Sequence, residues 1–422
     1  MVRLTQRSRR RLSGAVALAA AGALLAGCGG GGPAAGGGKV TDDKIVLGVL
    51  TDLSGVYADI SGPNSVAAVE MAVEDFKKKY GDDAVTKNIE VIKADHQNKP
   101  EIANTQARQM YDRKQADALF DVPTSSAALA VANVAKQSKR LYFNTAAATT
   151  ELAGKACNKY MYEWAYDTHM LAQGTGAAVT KEGDRNWYMI YPDYAFGQDM
   201  QAKFQSAVEG AGGTVVAKDP TPFPSDDFAT FLLKAPGLKP KPDVLGVFQA
   251  GGDLANVVKQ YDQFKLREKG INLAIGLLFD SDIKAIGADK LAGTMFTTAW
   301  FWNLDDESRA WAKRFTERTG EQPTFDHAAN YSAATHYLEA AQNAGTDDPE
   351  TVIEVLDGKQ FTDFFAHNAL IRPEDHRVVH DAYLVKVKDP AKASGEGDYT
   401  ELVAKIHGEQ AFDKPSPDCQ MT

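Results

Sequence analysis

From Ile45 onward, short runs of β-branched and other apolar residues alternate with stretches in which apolar side chains recur every three or four positions. No other feature of the 422-residue chain narrows its fold as far. The run Ile45–Leu50 reads as a buried parallel strand, and Val66, Val69, Val73 and Phe76 then recur at helical spacing among Glu70, Glu74, Asp75 and Lys77. The same reading predicts strands Ile89–Ala94, Ala118–Val122 and Leu141–Thr145 with helices Pro100–Lys114 and Ser125–Gln137. A second series starts at strand Tyr160–Ala165. It continues through helix Thr168–Lys181, strand Trp187–Tyr191, helix Gln198–Glu209, strand Thr214–Ala217, helix Asp227–Lys234, strand Asp243–Phe248, helix Leu254–Lys265 and strand Asn272–Leu277. Strands alternating with helices build parallel sheets covered on both faces, so the expected class is α/β with two doubly wound units. Helices Glu307–Arg318, Phe325–Ala344 and Pro349–Leu356 follow, then a strand pair Ala366–Arg372 and Val378–Lys388, then a closing tail rich in Pro, Asp and Gly.

The first 27 residues are of another kind. Five arginines precede an apolar run, Leu12–Leu25, too short to span a bilayer comfortably and suited to the core of a signal peptide. The pair Arg9-Arg10 is also compatible with twin-arginine export. The run ends in Leu25-Ala26-Gly27-Cys28, which is similar to the lipobox of bacterial lipoproteins, where the Cys becomes the lipidated N-terminus. A Gly-rich segment, 29–38, follows; residues 28–43 are therefore expected to be a lipidated tether holding an extracytoplasmic body to the membrane. With Cys28 taken by lipid, Cys157 and Cys419 remain as an even pair in an oxidising compartment, where a disulfide is expected. Closing so long a loop is worth ~5 kcal/mol on the chain-entropy account. The net charge of −10 falls to −15 once the five arginines are removed, and so acidic a surface repels nucleic acid and anionic lipid headgroups.

No Gly-x-Ser-x-Gly, His-Glu-x-x-His, Cys-x-x-Cys or Walker pattern is present, so neither an enzyme nor a cofactor is expected. His376 and His380, beside Asp375 and Asp381, are expected to be solvated on a surface hairpin rather than to bind metal. The informative segments stand at the C-terminal ends of the strands, where open α/β sheets bind ligands. Asp52–Tyr57 follows the first strand, and Pro123-Thr124-Ser125-Ser126 follows the third and opens a helix. Hydroxyls and free N–H groups at a helix start suit a carboxylate.

These segments carry a resemblance. Ile45–Tyr57, the helix with Ala67-Ala68-Val69-Glu70-Met71-Ala72, Ala94-Asp95, Ser125-Ser126, Asn144-Thr145-Ala146-Ala147, Tyr194-Ala195-Phe196-Gly197, and Phe231–Lys234 before Pro242-Asp243-Val244 resemble the extracytoplasmic binding proteins of branched-chain amino-acid ABC transporters. The resemblance covers about 44–388 and implies two lobes joined by three hinge crossings that close on a ligand. It places 44–165 plus 300–356 in the first lobe and 166–299 plus 357–422 in the second. It also implies a monomer that docks on an ABC permease driven by a cytoplasmic ATPase. By the same resemblance Ser125 holds the ligand carboxylate and Ala146 assists through its backbone, while Asp280 is the one acid left to face an ammonium group. Ala148 and Phe196 stand where the family carries hydroxyl residues. Tyr57, Ser126, Ala147, Tyr194, Gln249, Asp253, Trp300, Phe301 and Trp302 are further cleft candidates, with a solvated loop as the alternative for Asp253. The expected ligand is a small carboxylate, an apolar or aromatic acid ahead of a branched-chain amino acid. An extracellular sensor of the same fold is the alternative, and a cell-envelope hydrolase a more remote one.

Overall fold

A computed structural model describes residues 39–421. The Arg-rich start, the apolar run, Cys28 and the Gly-rich segment lie outside the described residues. The last residues of the expected tether belong to the body instead: Val40 is buried, and Thr41 donates its N–H (2.8 Å) and hydroxyl (3.1 Å) to the Asp347 carboxylate.

The first lobe is built on strands β1 (Lys44–Thr51), β2 (Asn88–Asp95), β3 (Ala118–Asp121), β4 (Leu141–Asn144) and β5 (Met161–Glu163), all parallel in the order β2-β1-β3-β4-β5. The second holds β6 (Asn186–Pro192), β7 (Thr214–Thr221), β8 (Val244–Val247) and β9 (Asn272–Ile275), parallel in the order β7-β6-β8-β9. The central strands β1, β3 and β8 are apolar almost throughout because helices cover both faces. Helices Asp306–Thr319, Phe325–Ala344 and Pro349–Leu356 return to the first lobe. Arg314 and Arg318 pin the first of them to Asp75 and Glu70 on helix Gly62–Tyr80 (both 2.7 Å). Among the described residues no helix is long and apolar enough to cross a membrane.

Several expectations after residue 290 are corrected. Met295–Thr298 forms β10, and the expected strand 378–388 is two strands in two sheets: β13 (Val378–Val379) joins β11 (Gln360–Phe361) and β12 (Ala369–Ile371), whereas β14 (Ala382–Val387) runs antiparallel to β10. The break falls at His380 and Asp381. Both His376 and His380, expected in solvent, are buried. His376 stacks on Tyr162 at 4.2 Å, and the ring nitrogens of His380 lie 2.8 and 2.7 Å from the carbonyl oxygens of Asp381 and Ala165. Residues 357–381, expected in the second lobe, pack on the first: Phe361 lies against Trp164 and His336, and Ser332 donates to Asp363. The tail is ordered too, with β15 (Thr400–Ile406) paired to β14 and a disulfide between Cys157 and Cys419 whose Cα atoms are 5.4 Å apart. The chain thus passes between the lobes three times, near 166–168, 299–305 and 380–381. At the first crossing the buried Arg377 guanidinium faces Glu163 (3.2 Å) and Asp167 (2.9 Å).

Candidate functional site

The loops leaving the parallel strands at their C-terminal ends converge between the two sheets. After β1 the Asp52 carboxylate accepts hydrogen bonds from the backbone N–H groups of Gly55 (2.7 Å) and Tyr57 (2.9 Å) and from Asn98 Nδ2 (2.6 Å). An Asp that bonds its own downstream backbone folds the loop tightly, and here the turn presents Tyr57 to the opposite lobe. The Tyr57 hydroxyl lies 2.7 Å from that of Tyr194, which follows β6. Phe223, after β7, packs on both rings with centroids 5.5 and 4.5 Å away.

A second contact closes the same seam. Gly252, at the start of helix Gly251–Gln263, donates its N–H to the Val56 carbonyl at 3.1 Å. Gly251 sits at φ +57°, and a Cβ there would stand 2.2 Å from the Val56 oxygen, so only glycine permits this approach.

Between the lobes lies a chamber of about 10 Å³, room for about one water. Its wall combines Tyr57 and Ile60 after β1, Pro123 after β3, Ala146 and Ala148 after β4, and Tyr166 after β5. The second lobe adds Tyr194 and Phe196 after β6, Ala250 after β8 and Leu277 after β9. The wall is apolar and aromatic, and its polar groups are mostly hydroxyls. Burial pushes the Tyr57, Tyr166 and Tyr194 phenols above their usual range, so all three stay neutral.

Ser125 opens helix Ser125–Ser138 two residues beyond Pro123; it is fully buried and its Oγ has no hydrogen-bond partner. The N-cap position belongs to Thr124, whose hydroxyl donates to Asn98 Oδ1 instead of to the helix. A free buried hydroxyl at the positive end of a 14-residue helix suits an anionic group. Ser126 beside it is half-buried.

Tyr57, Ala146, Tyr194 and Phe196 are thus brought together. Ser125 and Ser126 follow the wall residue Pro123 without lining the wall themselves, and the remaining candidates fall elsewhere. Ala147 has its carbonyl and N–H both bonded to the Asn144 side chain, at 2.7 and 3.0 Å, and Gln249 turns its amide to Thr221 Oγ1 (3.1 Å). Asp253 is buried rather than solvated, accepting from Ser225 N–H, and burial raises its carboxyl to about 7. Trp300 belongs to a core of Trp311 and Phe364, with its indole N–H donated to Ser308 Oγ at 3.0 Å, because the segment that leaves β10 turns it toward helix Asp306–Thr319. Phe301 packs on Tyr383, and Trp302 donates to the Gly397 carbonyl. Asp280 lines a different interlobe cavity, about 480 Å³, together with Asp59, Lys284, Glu321 and Tyr399, and burial raises its carboxyl to about 7. Tyr166 was open to the rule that placed Tyr57, since it follows β5 directly. Phe223 likewise follows β7, but the expected strand ends at Ala217, since Lys218, Asp219 and Pro220 break the apolar run. Among the described residues no group of His, Cys, Asp and Glu is arranged to hold a metal ion.

Comparison with known proteins agrees with this architecture. The profile of a family described as periplasmic binding protein matches residues 44–396. A periplasmic binding protein of Burkholderia mallei is 39% identical, aligned over 88% of this chain and 97% of its own with a TM-score of 0.84. A branched chain amino acid ABC transporter periplasmic ligand-binding protein of Burkholderia xenovorans LB400 is 35% identical, over 89% and 100% of the two chains, with a TM-score of 0.77. The Leu/Ile/Val-binding protein homolog 6 of Brucella melitensis is 24% identical over 354 residues, 82% of this chain and 88% of the relative.

Proposed function

The chain belongs to the periplasmic binding protein family, and from that premise we propose that it is the substrate-binding lipoprotein of an ABC importer, taking up a small carboxylate with an apolar or aromatic body. The observation that carries this reading is the interlobe chamber, whose Tyr57 and Tyr194 meet across the seam at 2.7 Å. The lobes part, the ligand enters among Tyr57, Tyr166, Tyr194 and Phe196 and displaces the Tyr57–Tyr194 contact to make room for itself, and contacts to both lobes favour the form closed around it. The ligand carboxylate binds at Ser125, where a buried hydroxyl without a partner and the helix start supply donors. The wall holds no carboxylate for an ammonium group, because Asp280 lies in the neighbouring cavity. That favours an acid without an α-amino group, since a buried cation lacking acceptors costs several kcal/mol even after the protein relaxes around it. The similar protein of Burkholderia xenovorans carries the name of a branched chain amino acid transporter component, which keeps leucine, isoleucine and valine as the comparison set. The closed form delivers its ligand to a membrane permease, and Cys28 holds the body to the membrane through its lipid.

Titration calorimetry with leucine, benzoate and hexanoate tests the ligand class. Binding of benzoate or hexanoate, weakened about tenfold or more in Ser125→Ala, is the expected result, equivalent to ~1.4 kcal/mol or more. Submicromolar leucine binding with no response to either deaminated acid overturns it. Cys28→Ala is expected to move the protein from the membrane to the soluble fraction.

A further inference from the structure

We propose that the C-terminal tail is a strap that ties the two lobes together and limits how far they part. The tail leaves the second-lobe strand β15, and its Phe412 is buried against His380 and the Arg377 guanidinium, with a ring centroid 5.2 Å from the first and 5.1 Å from the second. Asp413 then grips the second lobe. Its carboxylate lies 2.9 Å from Lys203 Nζ and 3.1 Å from His169 Nδ1, both of the second lobe, while its carbonyl accepts from Arg372 Nη1 of the first at 3.0 Å. Six residues further on, Cys419 is covalently bonded to Cys157, which lies in the first lobe between β4 and β5. The tail therefore makes a fourth interlobe connection beside the three chain crossings.

The strap has a short reach. Six residues span at most ~20 Å when fully extended, and Pro415 and Pro417 restrict the segment further. It crosses a cavity of about 590 Å³ walled by Thr150 and Lys155 of the first lobe and Lys203 of the second. On the same flank the Thr150 N–H donates to Asp199 Oδ2 at 2.6 Å, joining the first-lobe loop to the second-lobe helix Ala195–Gly210. Wide parting of the lobes breaks that bond and draws the strap taut. Beyond its reach, Asp413 must leave Lys203 and His169 while the disulfide still holds Cys419. The strap rests on the reading that the lobes open and close, and it adds a limit to that motion.

Hydrogen exchange read by mass spectrometry tests it, because the N–H groups of Thr150 and Gly252 bond only across the seam. In Cys419→Ser, segments 148–152 and 250–254 are expected to exchange about tenfold faster, while β1 and β6 are unchanged. Asp413→Ala keeps the disulfide and is expected to speed the same two segments about threefold, which covers failure of the Cys variant to fold. Exchange at the seam that matches the parent in the folded variants overturns the strap. Equal acceleration of β1 and β6 overturns it as well, since the tail then stabilises the whole fold and not the seam. Seam amides as slow as those of β1 in every protein remove lobe parting itself, and with it the motion the strap restrains.

Discussion

Phe279 of the second lobe and Phe325 of the first stack across the seam, their centroids 4.5 Å apart and their planes 18° from parallel. The contact draws Asp280 and Asp282 from one side and Asp326 from the other into a shared buried layer. Both oxygens of Asp326 lack a hydrogen-bond partner. Burial raises the Asp280 and Asp282 carboxyls to about 7 and Asp326 well above its usual range, with Asp121 and Asp282 adding to the effect on Asp326. Lys284, on the same helix as Asp280 and Asp282, is already paired with Glu321 at 2.6 Å.

Closure is accordingly expected to take up protons. In an open form the carboxyls that return to water regain ordinary values near ~4. The closed form, with values about 7, binds more protons throughout the interval between. A raised carboxyl value means that closure carries no penalty below pH ~4, loses strength as pH rises toward about 7, and levels off above. Ligand affinity is expected to fall between pH ~4 and about 7 and to change little above. Calorimetry at pH 6 in two buffers of different ionisation enthalpy should register proton uptake, and proton release would contradict the assignment.

Gly251→Ala is expected to leave the lobes folded and to weaken ligand binding by more than tenfold. The added methyl meets the Val56 oxygen only when the lobes are shut, and the left-handed backbone adds a cost above ~1 kcal/mol. Circular dichroism checks the fold, and calorimetry checks the affinity.

The two phenols Tyr57 and Tyr194 satisfy each other. Removing one hydroxyl, as Tyr57→Phe or Tyr194→Phe, strands the other in an apolar wall and is expected to lower stability by about 1–3 kcal/mol. The double variant is expected to be more stable than the two single losses added together, because neither hydroxyl is then left alone. Denaturant unfolding of all four proteins measures the coupling.

Arg377→Met removes a guanidinium that faces the buried Asp167 carboxylate and Glu163, whose carboxyl burial raises to about 8. A loss of about 3–5 kcal/mol is expected, the cost of leaving buried acids without their cation. Thermal unfolding decides it, and a change below 1 kcal/mol would show that Glu163 and Asp167 do not depend on this charge.

The parallel sheets were legible because their strands are short apolar runs set between helices of regular period. Helix Phe325–Ala344 has the bounds its pattern suggests. Strand β15 was hidden because Leu402 and Val403 are exposed beside Glu401 and Lys405, so no alternation marks it and its pairing with β14 holds it in place. His376 and His380 look like surface residues in any local reading; their burial depends on Tyr162 and Ala165, more than two hundred residues earlier. In the site, Tyr57, Tyr194 and Phe196 could be read from their places after strands. Trp300 and Asp280 occupy comparable places, but tertiary packing turned them toward Trp311 and toward the neighbouring cavity.

The chamber wall is drawn from the segments that follow β1, β3, β4, β5, β6, β8 and β9, whereas the strands themselves and most of the helix faces hold the sheets together. The proposed recognition surface and the scaffold are in this sense written in separate stretches of the chain. With the chamber as the proposed ligand site, a lineage carrying this fold is free to exchange Tyr57, Ala148 or Phe196 and acquire a new ligand while its core passes unaltered to descendants.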